Sequence, residues 1–291
     1  MLNAWKIPEN LGSKFELNDG KLIPSFGLGL YKASVGDNKG TETAVTTALK
    51  EGYRLVDTAE VYGNEAEVGS GIKQSNIKRE DIYVVTKTLK KGYDECLKAF
   101  EQSNERLGLD YVDLYLMHAP IGGKILKTYD AMLKLREKGV VKSIGVSNFN
   151  ISMLEGLRKS GRPTPAVNQV ELHPYMRRQE LVTYCRKHGI LLMAFSPITK
   201  GKKLGEPEVI SIAEKYKKTV AQLFIRWCVQ SGFLVIPKSS KKERIIENCQ
   251  VFDWSISDED MNKLCSLPES TCYGLGTNLY QIHEMNWEES R

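Results

Sequence analysis

Eight short apolar runs, rich in β-branched residues, recur along the chain at 26–31, 54–57, 82–87, 112–118, 143–148, 166–171, 190–196 and 234–238. Between them lie stretches whose apolar residues return at helical spacing, among them 95–107, 125–137 and 151–158. Strands that alternate with helices, without a linker or low-complexity segment, predict a parallel sheet covered by helices. Eight such units within 291 residues predict closure into a (β/α)8 barrel, the TIM-barrel architecture, as a single domain over 1–291. Upstream, Phe15 to Pro24 alternates around Asn18-Asp19-Gly20, a turn sequence that tolerates positive φ, so a hairpin is expected to plug the bottom of the barrel. A further helix is expected over 257–267. The tail 268–291, with Tyr273, Tyr280, His283 and Trp287, is expected to fold over the active-site face of the barrel, or else to be disordered.

Several other classes are excluded. A doubly wound dinucleotide fold would need the third glycine that neither Gly27-Leu-Gly29 nor Gly69-Ser-Gly71 supplies. Gly27 and Gly29 are read instead as allowing a tight turn at the end of the first strand. Gly145-Val-Ser-Asn-Phe149 lacks the second glycine of a nucleophile elbow. The six cysteines and four histidines are scattered without metal-ligand or redox spacing, so reduced structural thiols and no metal site are expected. The net charge of +5 reads as a solvated surface or as suited to a small anionic ligand. No basic stripe interleaved with aromatics points to nucleic acid. No apolar run approaches the ~18–20 residues of a membrane span. The first ten residues lack a basic and then apolar leader, which makes the cytoplasm the default expectation.

In such a barrel the chemistry sits at the carboxyl ends of the strands. The second run ends in Asp57 with Tyr62 in the following loop, the third ends in Lys87, and the fourth in His118. Adjacent strands lie roughly 4.8 Å apart, so three consecutive strand ends can bring these groups together. A tyrosine hydroxyl is a weak acid at neutral pH. A buried ammonium beside it is expected to favour the phenolate and lower its pKa, with Asp57 holding the lysine charged and His118 polarising a carbonyl oxygen. Asn64 stands in N-cap position for the helix that follows.

Four segments carry a resemblance. They are Gly52-Tyr-Arg-Leu-Val-Asp-Thr-Ala-Glu-Val-Tyr-Gly-Asn-Glu-Ala-Glu-Val-Gly69, Leu114-Tyr-Leu-Met-His-Ala-Pro120, Lys142-Ser-Ile-Gly-Val-Ser-Asn-Phe149, and Ile236-Pro-Lys-Ser-Ser-Lys-Lys-Glu-Arg-Ile-Ile-Glu-Asn248. Together they resemble the aldo-keto reductases from the hairpin to about Leu267. The resemblance implies a catalytic tetrad of Asp57, Tyr62, Lys87 and His118, with Tyr62 as general acid. It also implies NADPH bound without a Rossmann fold, its carboxamide held by Ser147, Asn148 and Gln169 and its ring stacked on Phe195. Ser196 and Ile198 join the implied cofactor-binding set, Lys238, Ser239 and Arg244 the 2′-phosphate clamp, and Glu247 and Asn248 the adenine contacts.

The pattern departs from the family in its loops. Ala119 stands where many members carry Trp, Leu89 and Tyr31 replace two further aromatics, and the loop after His118 is short. A less aromatic, more open pocket is expected, as in short-loop members from microbes and some invertebrates. The segment 198–204 holds no acid to clasp lysines over the pyrophosphate, so fast cofactor exchange is expected. The resulting expectation is an NADPH-dependent reductase of aldehydes and ketones, acting as a monomer on a small-molecule carbonyl. The alternative is a sensing or crystallin-like structural protein that keeps the cofactor on the same barrel with little turnover. A metal-dependent barrel hydrolase lacks its clustered ligands.

Overall fold

In the computed structural model, which describes residues 6–33, 40–270 and Trp287, the chain opens with an antiparallel hairpin. Strand β1 (Lys14–Glu16) pairs with β2 (Leu22–Pro24), placing Phe15 opposite Ile23. Alternation divides these residues: Lys14, Glu16 and Leu22 face solvent, while Phe15, Leu17 and Ile23 are buried. The turn is tied to the barrel by Asn18, whose amide donates to the Pro165 carbonyl (3.0 Å), and by Asp19, which accepts from the Ser143 hydroxyl (2.7 Å).

Eight parallel strands follow: β3 (Leu28–Gly29), β4 (Leu55–Asp57), β5 (Tyr83–Thr88), β6 (Val112–Met117), β7 (Val141–Ser147), β8 (Val167–Glu171), β9 (Leu191–Phe195) and β10 (Leu234–Ile236). They pair in chain order, and parallel bridges Phe26–Val235 and Gly29–Lys238 bring β3 back to β10. The barrel is thereby closed, by Gly27 and Gly29 amides donating to the carbonyls of Val235 and Pro237 (3.0 Å each). Neither glycine makes the tight turn expected of it, since neither has positive φ. A side chain at Gly29 would instead stand 2.9 Å from the Ile236 carbonyl oxygen, so its smallness serves the close approach at the closure.

The period-two pattern of the strands builds two cores. Leu55, Val85, Leu114, Leu116, Val167, Leu191 and Leu234 point into the barrel and meet Phe15, Leu17 and Ile23 of the plug. Val56, Val84, Tyr115, Val146, Val170, Leu192 and Val235 point outward and pack under the helices. Those helices are α1 (Gly40–Lys50), α2 (Glu65–Gln74), α3 (Tyr93–Leu107), α4 (Ile125–Glu137), α5 (Ile151–Lys159), α6 (Gln179–Lys187), α7 (Pro207–Lys215), α8 (Val220–Gln230), α9 (Lys242–Cys249) and α10 (Asp258–Ser266). Two helices rather than one separate β9 from β10. Proline in the first turn starts α7, and a capping box between Thr219 and Gln222 starts α8. Asn150 caps α5 by accepting from the Met153 amide (3.0 Å), and Ser257 does the same for α10 toward Asp260 (3.2 Å).

The expected tail over the barrel mouth lies outside the described residues, apart from 268–270 and Trp287. Ser270 donates its amide to the Tyr175 carbonyl (2.8 Å), and the Trp287 amide donates to the Ser152 hydroxyl on α5 (3.1 Å). Among the described residues, no helix is long and apolar enough to cross a membrane.

Candidate active site

Strand β4 ends at Asp57, and its pairing with β5 continues one step further as the Thr58 amide donates to the Val85 carbonyl (2.9 Å). The chain then makes a single 3-10 turn, Glu60–Tyr62, before α2. Gly63 follows at φ 66°, a left-handed conformation that lets the backbone swing from that turn into the helix. Asn64 occupies the N-cap position but does not cap with its side chain. Its carbonyl oxygen accepts from the Thr58 hydroxyl (2.6 Å) and its amide donates to the Leu30 carbonyl (3.0 Å), which closes the loop carrying Tyr62 on itself and onto β3.

Inward-facing Lys87 on β5 lies at the centre of this loop. Its ammonium donates to Asp57 Oδ1 (2.6 Å) and to the Thr58 carbonyl (2.7 Å), and lies 3.4 Å from the Tyr62 hydroxyl. Lysine and aspartate are both buried. Burial pushes the Lys87 ammonium down and the Asp57 carboxyl up, and the charge of each opposes the shift of the other. The remaining Asp57 oxygen accepts from the Gln169 amide on β8 (2.7 Å), across the barrel. The family resemblance assigned Gln169 only toward a cofactor; its contact with Asp57 comes from barrel closure, which brings distant strands together.

The Tyr62 pKa departs from expectation in direction. Burial, with the charge of Asp57 and the neighbouring Tyr31, holds the phenol well above its ordinary value despite the nearby lysine. Desolvation of a phenolate outweighs one ammonium that is already shared with a carboxylate. The resting hydroxyl therefore carries its proton. Tyr31 packs against Tyr62 with ring centroids 5.1 Å apart, and His118 meets it edge-on at 5.6 Å. Burial and then the Lys87 charge lower the His118 pKa to about 3, so its imidazole is neutral. A neutral ring is a donor at one nitrogen and an acceptor at the other.

Beyond His118 the strand ends turn polar and strained. Asn148 sits at φ 63° with its amide donating to the His118 carbonyl and the Ser147 hydroxyl (3.0 Å each), and Ser147 donates to the Gln169 carbonyl (2.8 Å). Asn148 Oδ1 and His118 Nδ1 are buried with no hydrogen-bond partner among the described residues. Ser196, following Phe195 at the end of β9, also adopts positive φ, 49°. Such conformations in residues other than glycine are uncommon and cluster at functional sites.

A cleft of about 880 Å³ runs from Tyr62 and His118 past Ser147, Asn148, Gln169 and Phe195 to the start of α9. Ser196, Ile198, Lys238, Ser239, Arg244, Glu247 and Asn248 line its far end, so fourteen of the fifteen residues singled out from the sequence share one surface. Lys87 is the exception and lies behind Asp57 and Tyr62, fully buried. Lys238 is half-buried, its ammonium pushed down by burial and by the Arg244 charge. Among the described residues no carboxylate pairs with either cation. Glu247 accepts from the Thr219 hydroxyl (2.8 Å), which places the α8 N-cap in the cleft wall, a contribution that sequence reading missed. The acid absent from 198–204 appears just beyond as Glu206, and it holds Lys203 within the loop (2.7 Å) rather than across the cleft. Among the described residues, no cluster of three His, Cys, Asp or Glu could hold a metal ion.

The residues fit a dinucleotide. Residues with unsatisfied buried polar atoms line one end together with Phe195, and two cations with no paired carboxylate among the described residues stand at the other.

Comparison with known proteins agrees. Over 263 residues the chain is 46% identical to a glyoxal reductase of Bacillus subtilis, covering 90% of this chain and 95% of that one. It is 42% identical over 263 residues to a 9,11-endoperoxide prostaglandin H2 reductase of Trypanosoma cruzi, covering 89% of this chain and 92% of the relative. The crystal structure of a Bombyx mori aldo-keto reductase in complex with NADP superposes with a TM-score of 0.86 at 32% identity, over 95% of this chain and 98% of the other. Residues 26–269 match the model of the Aldo/keto reductase family, and the chain belongs to that family of oxidoreductases.

Proposed function

We propose that this chain is an NADPH-dependent reductase of aldehydes and ketones, a cytoplasmic monomer working through one domain over 1–291. The observation that carries the reading is the Asp57–Lys87–Tyr62 contact opening onto a cleft whose far end presents Lys238 and Arg244, which no carboxylate among the described residues pairs with. Ser147, Asn148 and Gln169 would hold the carboxamide, Phe195 would face the ring, and Ser196 and Ile198 would line the path toward the phosphates. Lys238, Ser239 and Arg244 would take the 2′-phosphate, with Glu247 and Asn248 near the adenine. Bound there, the nicotinamide supplies the hydride that reduces the carbonyl carbon.

The chain's own residues supply the proton. His118, held neutral, donates a hydrogen bond to the carbonyl oxygen and fixes it beside the Tyr62 hydroxyl. Tyr62 gives its proton to that oxygen as the new C–H bond forms, and the product is an alcohol. The adjacent Lys87 ammonium stabilises the phenolate left behind, which regains a proton from water. Asp57 keeps the lysine in place and charged.

The test follows NADPH absorbance with purified protein, with glyoxal and an activated aromatic aldehyde as substrates. Turnover is expected with NADPH in preference to NADH, and Tyr62→Phe is expected to reduce kcat about a thousandfold. Tight NADPH binding without turnover would move the reading to a cofactor-binding sensing or structural protein. Full turnover by Tyr62→Phe would remove the acid assignment.

A further inference from the structure

Lys87 is flanked on β5 by Thr86 and Thr88, which alternation turns away from the barrel axis, and both are fully buried. As a donor each hydroxyl serves one carboxylate, and the Thr88 hydroxyl also accepts from the Lys90 amide (2.9 Å). Thr86 donates to Glu65 Oε1 (2.5 Å), and Thr88 donates to Glu60 Oε2 (2.8 Å). Glu60 opens the 3-10 turn that carries Tyr62, and Glu65 is the first residue of α2, separated from that turn by Gly63 and Asn64. The acid-bearing segment is thus pinned at both ends to the two residues adjacent to the lysine. Glu65 is further fixed from α3, where the Arg106 guanidinium reaches its other oxygen (2.6 and 2.8 Å). The Glu65 side chain itself has no solvent exposure.

We infer that Thr86–Glu65 and Thr88–Glu60 are positioning residues for proton transfer, a pair of clamps that set the 3.4 Å separation of Lys87 from the Tyr62 hydroxyl. Neither carboxylate touches the tetrad by a hydrogen bond; they act by holding the Tyr62 segment in register with β5. The charge of Glu65 also favours the ammonium form of Lys87. Buried threonine hydroxyls explain why β5 reads Thr-Lys-Thr where an outward-facing apolar pair would pack under helices. This inference rests on Tyr62 being the acid, so its test must separate the two.

The experiment compares the double variant Thr86→Val/Thr88→Val, which keeps β-branched shape and removes both donors, with Thr86→Ser/Thr88→Ser, which keeps the hydroxyls. In the valine variant kcat is expected to fall roughly ten- to hundredfold, the size of effect a small misplacement of a reacting group produces. Its NADPH dissociation constant, from nucleotide fluorescence, is expected to stay within about twofold of wild type, since none of the four clamp residues lines the cleft. The serine variant is expected to restore most of the rate. A crystal structure of the cofactor-free valine variant is expected to show the Tyr62 hydroxyl farther than 3.4 Å from Lys87. An unchanged kcat, an undisplaced Tyr62, or a serine variant as impaired as the valine one would each overturn the clamps. Tyr62→Phe run alongside isolates the underlying reading. If it alone keeps full turnover, the acid assignment and the clamps fall together, whereas an inactive Tyr62→Phe beside a fully active valine variant sinks only the clamps.

Discussion

The two ends of the barrel strands are made of opposite chemistry. At the floor, Leu55, Tyr83, Leu114 and Leu191 meet the hairpin's Phe15 and Ile23 in a cluster of apolar side chains. Two or more residues further along the same strands, Asp57, Lys87 and His118 stand at the opposite end, buried and charged or polar. The floor gains free energy from every apolar group removed from water, about 25 cal/mol per Å². The roof loses some, because desolvating Asp57 and Lys87 costs several kcal/mol that their contact only partly returns. Separating the two along each strand lets one end stabilise a fold whose other end holds unsatisfied atoms and left-handed backbone for use in chemistry.

Lys87→Met should break that division most severely. It leaves Asp57 buried without its counter-charge, so a loss of about 3–5 kcal/mol in urea unfolding is expected together with a fall in kcat beyond a hundredfold. A variant as stable as wild type would mean that the pair contributes nothing to holding the roof together. Arg244→Ala should spare stability, since the guanidinium is exposed and makes no ion pair among the described residues. The expected loss is about ten- to hundredfold in affinity for NADPH and little for NADH, as befits one charge-assisted contact to a phosphate. Equal weakening of both nucleotides would remove the 2′-phosphate assignment. Ile23→Ala, at the floor, should cost about 2–5 kcal/mol of stability by leaving a cavity. Its effect on kcat/KM should be the smallest of the three, within about twofold, because no element of the hairpin approaches the cleft. A large catalytic defect there would show that the ends are mechanically coupled.

What the sequence made legible was whatever depends on period and position. Alternating strand and helix patterns located all eight barrel strands, and helix α4 spans the predicted 125–137. The strand ends named Asp57, Lys87 and His118 because a barrel places chemistry there. What stayed hidden depends on three-dimensional neighbours. Asn64 has the composition of a cap, but its side chain was recruited by Thr58 and Leu30, partners that only the folded loop supplies. Lowering of the Tyr62 pKa followed from counting Lys87 as a full positive neighbour. The folded site shares that charge with Asp57 and adds burial, which reverses the sign. Thr86 and Thr88 carry no signal of their own, since threonine is ordinary in a strand, and their meaning lies in which carboxylates face them.

The closure of the cylinder through β3 has a consequence for how the molecule breathes. That strand is two residues long, against six for β5, and it meets β10 through only a few amide–carbonyl contacts. Local opening follows the weakest junction, so solvent deuterium would enter at the amides of Gly27, Gly29 and Val235 sooner than at those of β5 or β6. Gly29 and Tyr31 line the cleft on one lip of this seam, and Lys238 and Ser239 on the other. A nucleotide lying along the cleft would span the seam, so the part of the barrel that opens first would be the part a bound nucleotide holds closed.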